Sequence, residues 1–201
     1  MKEIKLYLIR HGKTYCNENK LYCGKSDVEL SENGIKELKE ISKGHQYEKC
    51  DFYFTSGAKR ANQTLEILCP GNNYIILEKF FEYNFGEFEL KSYEDLKLLN
   101  EYTTWVDDRE GYIRCPNGEN RLEFRKRIKE GFTELINYLG EKNIEIAFGV
   151  LHGGSIGMIL EMLYDDSKEF YEWQPKNGEG YELIINIEEN NEFIIKKVGI
   201  V

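Results

Sequence analysis

The sequence predicts an α/β fold: one three-layer domain over residues 1–201, with a mostly parallel, doubly wound sheet and helices on both faces. Three observations carry this expectation. Apolar, β-rich runs recur at Ile4 to Ile9, Asp51 to Thr55 and Ile144 to Leu151, and amphipathic stretches of helical period separate them. The first and last of these runs end in a basic residue followed by glycine, Arg10-His11-Gly12 and His152-Gly153-Gly154. The chain has 201 residues, enough for one sizeable hydrophobic core.

The elements follow in order. After the first strand, a loop is expected from Gly12 to about Glu29. Ser31 can cap a helix through Lys43 that carries Ile35, Leu38 and Ile41 on one face. Ser56-Gly57 breaks the second strand, and a helix from Ala58 to Leu68 turns Ala61, Thr64, Leu65 and Leu68 inward, with Arg60 in its first turn. Tyr74 to Leu77 is β-rich, and Phe80 to Glu89 reads as an aromatic, acidic loop. Helical patterns cover Tyr93 to Trp105 and Asn120 to Leu139. The strand Ile144 to Leu151 leads into a helix capped by Ser155. The chain closes on a hairpin, Tyr181 to Ile187 and Phe193 to Val198, with its turn at Glu188 to Asn191.

Composition narrows the function classes. Hydrophobic residues make up 41% and charged residues 31%, a globular rather than a disordered balance. A net charge of −9 argues against nucleic acid or an anionic membrane surface as partner. No signal peptide or membrane span is legible, since the apolar runs are far short of the ~20 residues a span needs. Five cysteines without a Cys-x-x-Cys pair read as reduced thiols of a cytoplasmic protein. Neither the cysteine nor the histidine spacing offers the paired ligands that a zinc site needs.

Three strand-loop-helix units each deliver a basic group to the same sheet edge: Arg10 with His11, then Arg60, then His152. The helix N-termini after them add partial positive charge and free N–H groups. Such an edge suits a phosphate dianion, and guanidinium forks bind its oxygens in pairs. A neutral imidazole is a competent nucleophile toward phosphorus. The departing alkoxide then needs a proton, and Glu82, partly desolvated by aromatic neighbours, is a candidate acid; Glu87 and Glu89 stand close by in the same loop. His45 lies in a polar helix exit and is expected at the surface.

These residues resemble the histidine phosphatase superfamily, also called the phosphoglycerate-mutase-like family, on its phosphatase branch. Leu8-Ile9-Arg10-His11-Gly12-Lys13-Thr14, with Asn17, Gly24, Asp27, Leu30, Ser31 and Gly34, is similar to its signature segment. Thr55-Ser56, Lys59-Arg60-Ala61 and Gln63-Thr64 resemble a second motif. Glu82, Phe85-Gly86, Phe88 and Glu89 resemble a third; Gly118-Glu119, Phe124 and Arg127 a fourth; and Leu151-His152-Gly153-Gly154 a fifth. The resemblance implies that His11 is the phosphorylated nucleophile. Arg10, Arg60 and His152 would bind the phosphoryl group, with Asn17 and the Gly153 N–H as further contacts. Glu82 would be the acid and then the base. It implies a phosphoglycerate-mutase-like fold in which residues 80–119 form a substrate-side insertion, and neither metal nor organic cofactor. The sequence departs from the pattern at Gly57 and Glu29, where the family often has Pro, at Leu90, where it has Gly, and at Asn120, where it has Ser.

The implied activity is hydrolysis of a small-molecule phosphate ester through a phosphohistidine. The size resembles the branch that includes α-ribazole phosphatases and broad-specificity bacterial phosphatases. A phosphoglycerate-mutase type of transfer and a non-catalytic phosphoryl-binding module are the alternatives. The acidic, aromatic stretch from Tyr93 to Arg114 lacks the basic segments of the mutases and favours hydrolysis. Tyr22, Phe85 and Trp105 are candidates for the substrate mouth, and the protein is expected to be a monomer or homodimer.

Overall fold

A computed structural model describes residues 2–44, 47–188 and 192–201. The chain runs β1 (Lys2–Arg10), α1 (Tyr15–Glu18), α2 (Glu32–Gly44), β2 (Phe52–Thr55), α3 (Lys59–Leu68) and β3 (Ile75–Ile76). It continues through α4 (Tyr93–Leu96), α5 (Asn100–Asp107), α6 (Arg121–Glu141), β4 (Ile146–Leu151), α7 (Gly153–Leu163), β5 (Gly180–Ile187) and β6 (Phe193–Ile200). The strands form one mixed sheet in the order β3-β2-β4-β1-β5-β6. Pairings among β3, β2, β4 and β1 are parallel, while β5 and β6 are antiparallel additions at one edge.

Side-chain alternation along the central strands builds two cores. Ile4, Leu6 and Leu8 of β1, with Phe54 and Ala147, pack toward α6 and α7. Tyr7 and Ile9, with Tyr53, Phe148 and Val150, pack toward α2 and α3. Helices therefore cover both faces, as the sequence predicts. The chain passes from β1 to β2 and β3 on one side, then returns to insert β4 between β2 and β1. That reversal places the site at the carboxyl ends of β1 and β4, where open α/β sheets hold ligands. Among the described residues, no helix is long and apolar enough to cross a membrane.

Several local expectations hold. The Ser31 hydroxyl accepts the Gly34 N–H at 3.0 Å, as an N-cap does, and Ile35, Leu38 and Ile41 of α2 all face the second core. Others are corrected. The loop after β1 contains the one-turn helix α1, held by a capping box between Thr14 and Asn17. The helix expected over Tyr93 to Trp105 is two, because Leu99 adopts an extended ψ of 127° between them; no Gly or Pro marks the break. Strand β4 starts at Ile146, because the Ile144 N–H still bonds Leu139 O of α6. Helix α7 starts at Gly153 with His152 as N-cap, so Ser155 does not cap it; its hydroxyl instead donates to the Phe80 carbonyl at 3.0 Å. His45 and residues 189–191 of the expected hairpin turn lie outside the described residues.

The family departures have distinct physical consequences. Gly57 adopts φ 93°, which proline cannot. Leu90 sits at φ 60°, the left-handed region that glycine enters freely and a branched side chain enters at a cost of about 1 kcal/mol. Asn120 caps α6 through a capping box with Glu123, a task for which serine is equally suited.

Candidate active site

Parallel register brings the basic groups together. Arg10 is paired with Leu151, so His11 and His152 follow side by side at adjacent strand ends. The two imidazoles stand 5.2 Å apart between ring centroids, edge to face. Thr55 is paired with Val150, which puts Ser56 beside His152; their Oγ and Nε2 atoms are 2.7 Å apart.

His11 is 5% exposed, and its Nδ1 lies 2.7 Å from the Gly12 carbonyl oxygen. A carbonyl only accepts, so Nδ1 carries the proton and Nε2 keeps a free lone pair. Burial, then the positive charges of Arg60 and Arg10, push the His11 pKa well below 6.5. The neutral, nucleophilic form is thus the stable one at neutral pH. His152 is fully buried and its pKa is also held well below 6.5, by burial first and by Arg60, His11 and Arg10 after it.

The two arginines are fixed by backbone carbonyls. Arg10 donates to Pro175 O at 2.8 Å. Arg60, fully buried, donates to Ser26 O at 2.8 Å and Gly24 O at 2.7 Å. Arg10 Nε, Arg60 Nε and His152 Nδ1 are buried with no hydrogen-bond partner. Orphaned buried polar atoms are costly, and two belonging to guanidinium groups mark a place built for an anion.

The loop that grips Arg60 is itself held by Glu89. That carboxylate accepts the N–H groups of Gly24, Lys25 and Ser26 at 2.8 to 3.2 Å, and of Phe85 at 3.2 Å. Glu89 is therefore spent on backbone, and Glu87 on the Asn117 amide at 2.6 Å. Glu82 is the carboxylate of this loop that lines the cavity with His11, Arg10 and Arg60. Its Oε1 accepts the Tyr83 N–H and its Oε2 the Gly154 N–H, both at 2.8 Å. Burial raises its pKa; the two N–H bonds and the arginines pull the other way without reversing the shift. A neutral imidazole and a carboxyl whose pKa burial has raised thus share one cavity wall, two titratable groups set apart by environment.

Sequence reasoning names, without their bonds, the motif positions that hold this arrangement; most of those bonds span long separations. Arg127 donates to the carbonyls of Lys79, Phe81 and Glu82 and pairs with Glu119 at 2.6 Å, pinning the loop that carries Glu82. Glu119 also accepts the Asn84 N–H. Thr64 receives the Gly12 N–H at 2.9 Å and donates to Arg60 O at 2.6 Å, tying the nucleophile's loop to α3. The motif positions Glu89, Glu119, Thr64 and Arg127 were the available signal.

Asn17 lines the cavity, and its amide oxygen is engaged by the Thr14 N–H and hydroxyl, leaving Nδ2 as its donor group. Gly153 lies against the Arg10 guanidinium; Gly154, rather than Gly153, lines the cavity, and its N–H is already given to Glu82. The cavity holds about 530 Å³, and Tyr22, Phe85 and Trp105 line it as expected. Among the described residues, no group of three His, Cys, Asp or Glu side chains is placed to hold a metal ion.

The chain matches the histidine phosphatase superfamily (branch 1) over residues 6–196. It belongs to that family, a family of phosphatases and mutases, and its fold is phosphoglycerate-mutase-like. It is 27% identical over 164 residues to the adenosylcobalamin/alpha-ribazole phosphatase of Salmonella typhimurium, covering 80% of this chain and 79% of the relative. It is 31% identical over 169 residues to a phosphoglycerate mutase of Schizosaccharomyces pombe, covering 77% of each. In fold it is similar to the crystal structure of a putative alpha-ribazole-5'-P phosphatase from Escherichia coli, with a TM-score of 0.81, 21% identity, and coverage of 98% and 96% of the two chains.

Proposed function

We propose that the chain hydrolyses monoesters of phosphoric acid, small cytoplasmic metabolites, through a phosphorylated His11. The observation that carries this reading is one cavity wall that brings the Arg10 and Arg60 guanidinium groups and Glu82 together with the neutral imidazole of His11. The phosphoryl group sits against the Arg10 and Arg60 guanidinium groups, with Asn17 Nδ2 at its outer side. His11 Nε2 attacks phosphorus as the ester P–O bond breaks, and Glu82 gives its proton to the leaving oxygen. The positive charge on the phosphorylated ring is stabilised by the Nδ1–H bond to Gly12 O. Glu82, now a carboxylate, takes a proton from water, whose oxygen attacks phosphorus. The P–N bond breaks, returning neutral His11, a protonated Glu82 and inorganic phosphate. The five unpaired cysteines support a reducing, cytoplasmic location.

α-Ribazole phosphate, the substrate named for two of the similar proteins, is the first metabolite to test. Purified protein is expected to release p-nitrophenol from p-nitrophenyl phosphate at unchanged rate in excess chelator, and not to interconvert phosphoglycerates. Absence of hydrolysis from acid to neutral pH would leave a phosphoryl-binding module; interconversion would make it a mutase.

Gly154→Ala isolates the role of Glu82. A Cβ at this position would stand 2.3 Å from Glu82 Oε1, so the carboxyl must move. A displacement of that size costs roughly 100-fold in kcat/KM, while melting is expected to change little because alanine suits a helix better than glycine. Unchanged turnover would remove Glu82 from the acid's place.

A further inference from the structure

The cavity beyond the phosphate clamp is largely aromatic, and its charged groups and most of its hydroxyl and indole groups are already paired, which leaves the Gln174 amide and the Tyr171 hydroxyl as its open polar groups. Tyr22, Phe85, Trp105, Ile113, Phe170 and Tyr171 contribute to its walls. The Tyr22 hydroxyl bonds the Tyr102 hydroxyl at 2.5 Å, and Trp105 Nε1 donates to the Tyr83 hydroxyl at 3.1 Å. Asp108 accepts the N–H groups of Gly111 and Ile113. Arg121, the cation here that is not part of the clamp, pairs with Glu169 at 2.6 Å and Glu161 at 3.3 Å, and its guanidinium covers the Phe170 ring at 5.3 Å. At the mouth Tyr171 is 61% and Val106 53% exposed, apolar surface that a ligand would cover.

Resting on the hydrolase reading, we propose that the alcohol released is flat and aromatic or largely apolar, and that monoesters carrying a second anion are poor substrates. A carboxylate placed among these rings would lose its water and meet a cation already paired twice. A ring would stack on the walls and displace loosely held water. The phosphoryl end would supply the charge recognition and the far end the apolar fit, the usual division in small-molecule sites.

The test compares primary alkyl phosphates, so that leaving-group reactivity is matched. Phenethyl phosphate is expected to exceed phosphoserine and phosphoglycerate by about 100-fold in kcat/KM. Val106→Arg, at an exposed position, adds a cation to the cavity and is expected to narrow that ratio about tenfold. Binding is measured separately, by calorimetry with the non-hydrolysable phenylpropylphosphonate and phosphonobutyrate. Turnover of the carboxylate esters within about threefold of phenethyl phosphate would overturn the proposal and leave the hydrolase reading intact. Preferential binding of phenylpropylphosphonate with no turnover of any ester would sustain only the apolar preference of the cavity and would overturn the hydrolase reading and, with it, the claim about the released alcohol. Equal binding of the two phosphonates would overturn the proposal whatever the turnover.

Discussion

His11→Ala is expected to lower phosphomonoester turnover by roughly 10⁴-fold or more, the scale at which enzymes fail when the attacking atom is removed. The substitution deletes the free Nε2 lone pair and leaves Arg10, Arg60 and His152 in place. Inorganic phosphate should therefore still bind, within about tenfold of the wild-type affinity, because its contacts are the guanidinium groups. The ring sits at a strand end with its Nδ1 on a neighbouring carbonyl, so its loss removes little of the core. Loss of turnover together with retained phosphate binding, measured by kinetics and calorimetry on one preparation, separates chemistry from folding. Retained turnover would place the nucleophile elsewhere.

Glu82→Gln is expected to show a loss that depends on the leaving group. An alkyl phosphate must have its departing oxygen protonated, so its hydrolysis should fall by roughly 10³-fold. p-Nitrophenolate leaves unaided, and cleavage of its ester to the phosphoenzyme should fall by no more than about tenfold. The pH profile gives a second reading. A base with a lowered pKa is neutral down to lower pH, so His11 is competent throughout the neutral range and its limb lies below pH 6.5. An acid with a raised pKa stays protonated to higher pH, so the Glu82 limb lies above the ordinary value of 4.5. The wild-type profile for an alkyl ester is expected to fall on both sides, and the alkaline fall should be absent in Glu82→Gln. An equal loss on both esters, or an alkaline limb that persists in the variant, would assign the proton to another group.

The groups nearest the phosphate were legible in the sequence because simple rules bring them together. Arg10-His11-Gly12 and His152-Gly153-Gly154 each follow an apolar run, and parallel pairing of those runs aligns their ends. Arg60 follows from the same rule one strand over. Glu82 was harder: three glutamates share one loop, and periodicity does not say which of them faces inward. The structure separates them by partners that lie far away in the chain, Glu89 on the 24–26 backbone, Glu87 on Asn117 and Glu82 on Gly154. The true start of α7 was illegible for a related reason. Tertiary bonds, such as Ser155 to Phe80 O, outweigh the local capping preference that pointed elsewhere. Leu90 shows the limit of local propensity most clearly, since nothing in its own chemistry favours the left-handed backbone that the fold imposes on it.

The most direct measurement is isolation of the covalent intermediate. Wild-type protein mixed with phosphorus-labelled substrate and quenched in base within the first turnover is expected to carry label that is stable to alkali, labile to acid, and confined to the peptide containing His11. With labelled p-nitrophenyl phosphate, whose leaving group departs unaided, Glu82→Gln should accumulate it, because water is no longer activated for the second step, and His11→Ala should carry none. Label on another residue, or label that persists in His11→Ala, would contradict a phosphohistidine at position 11.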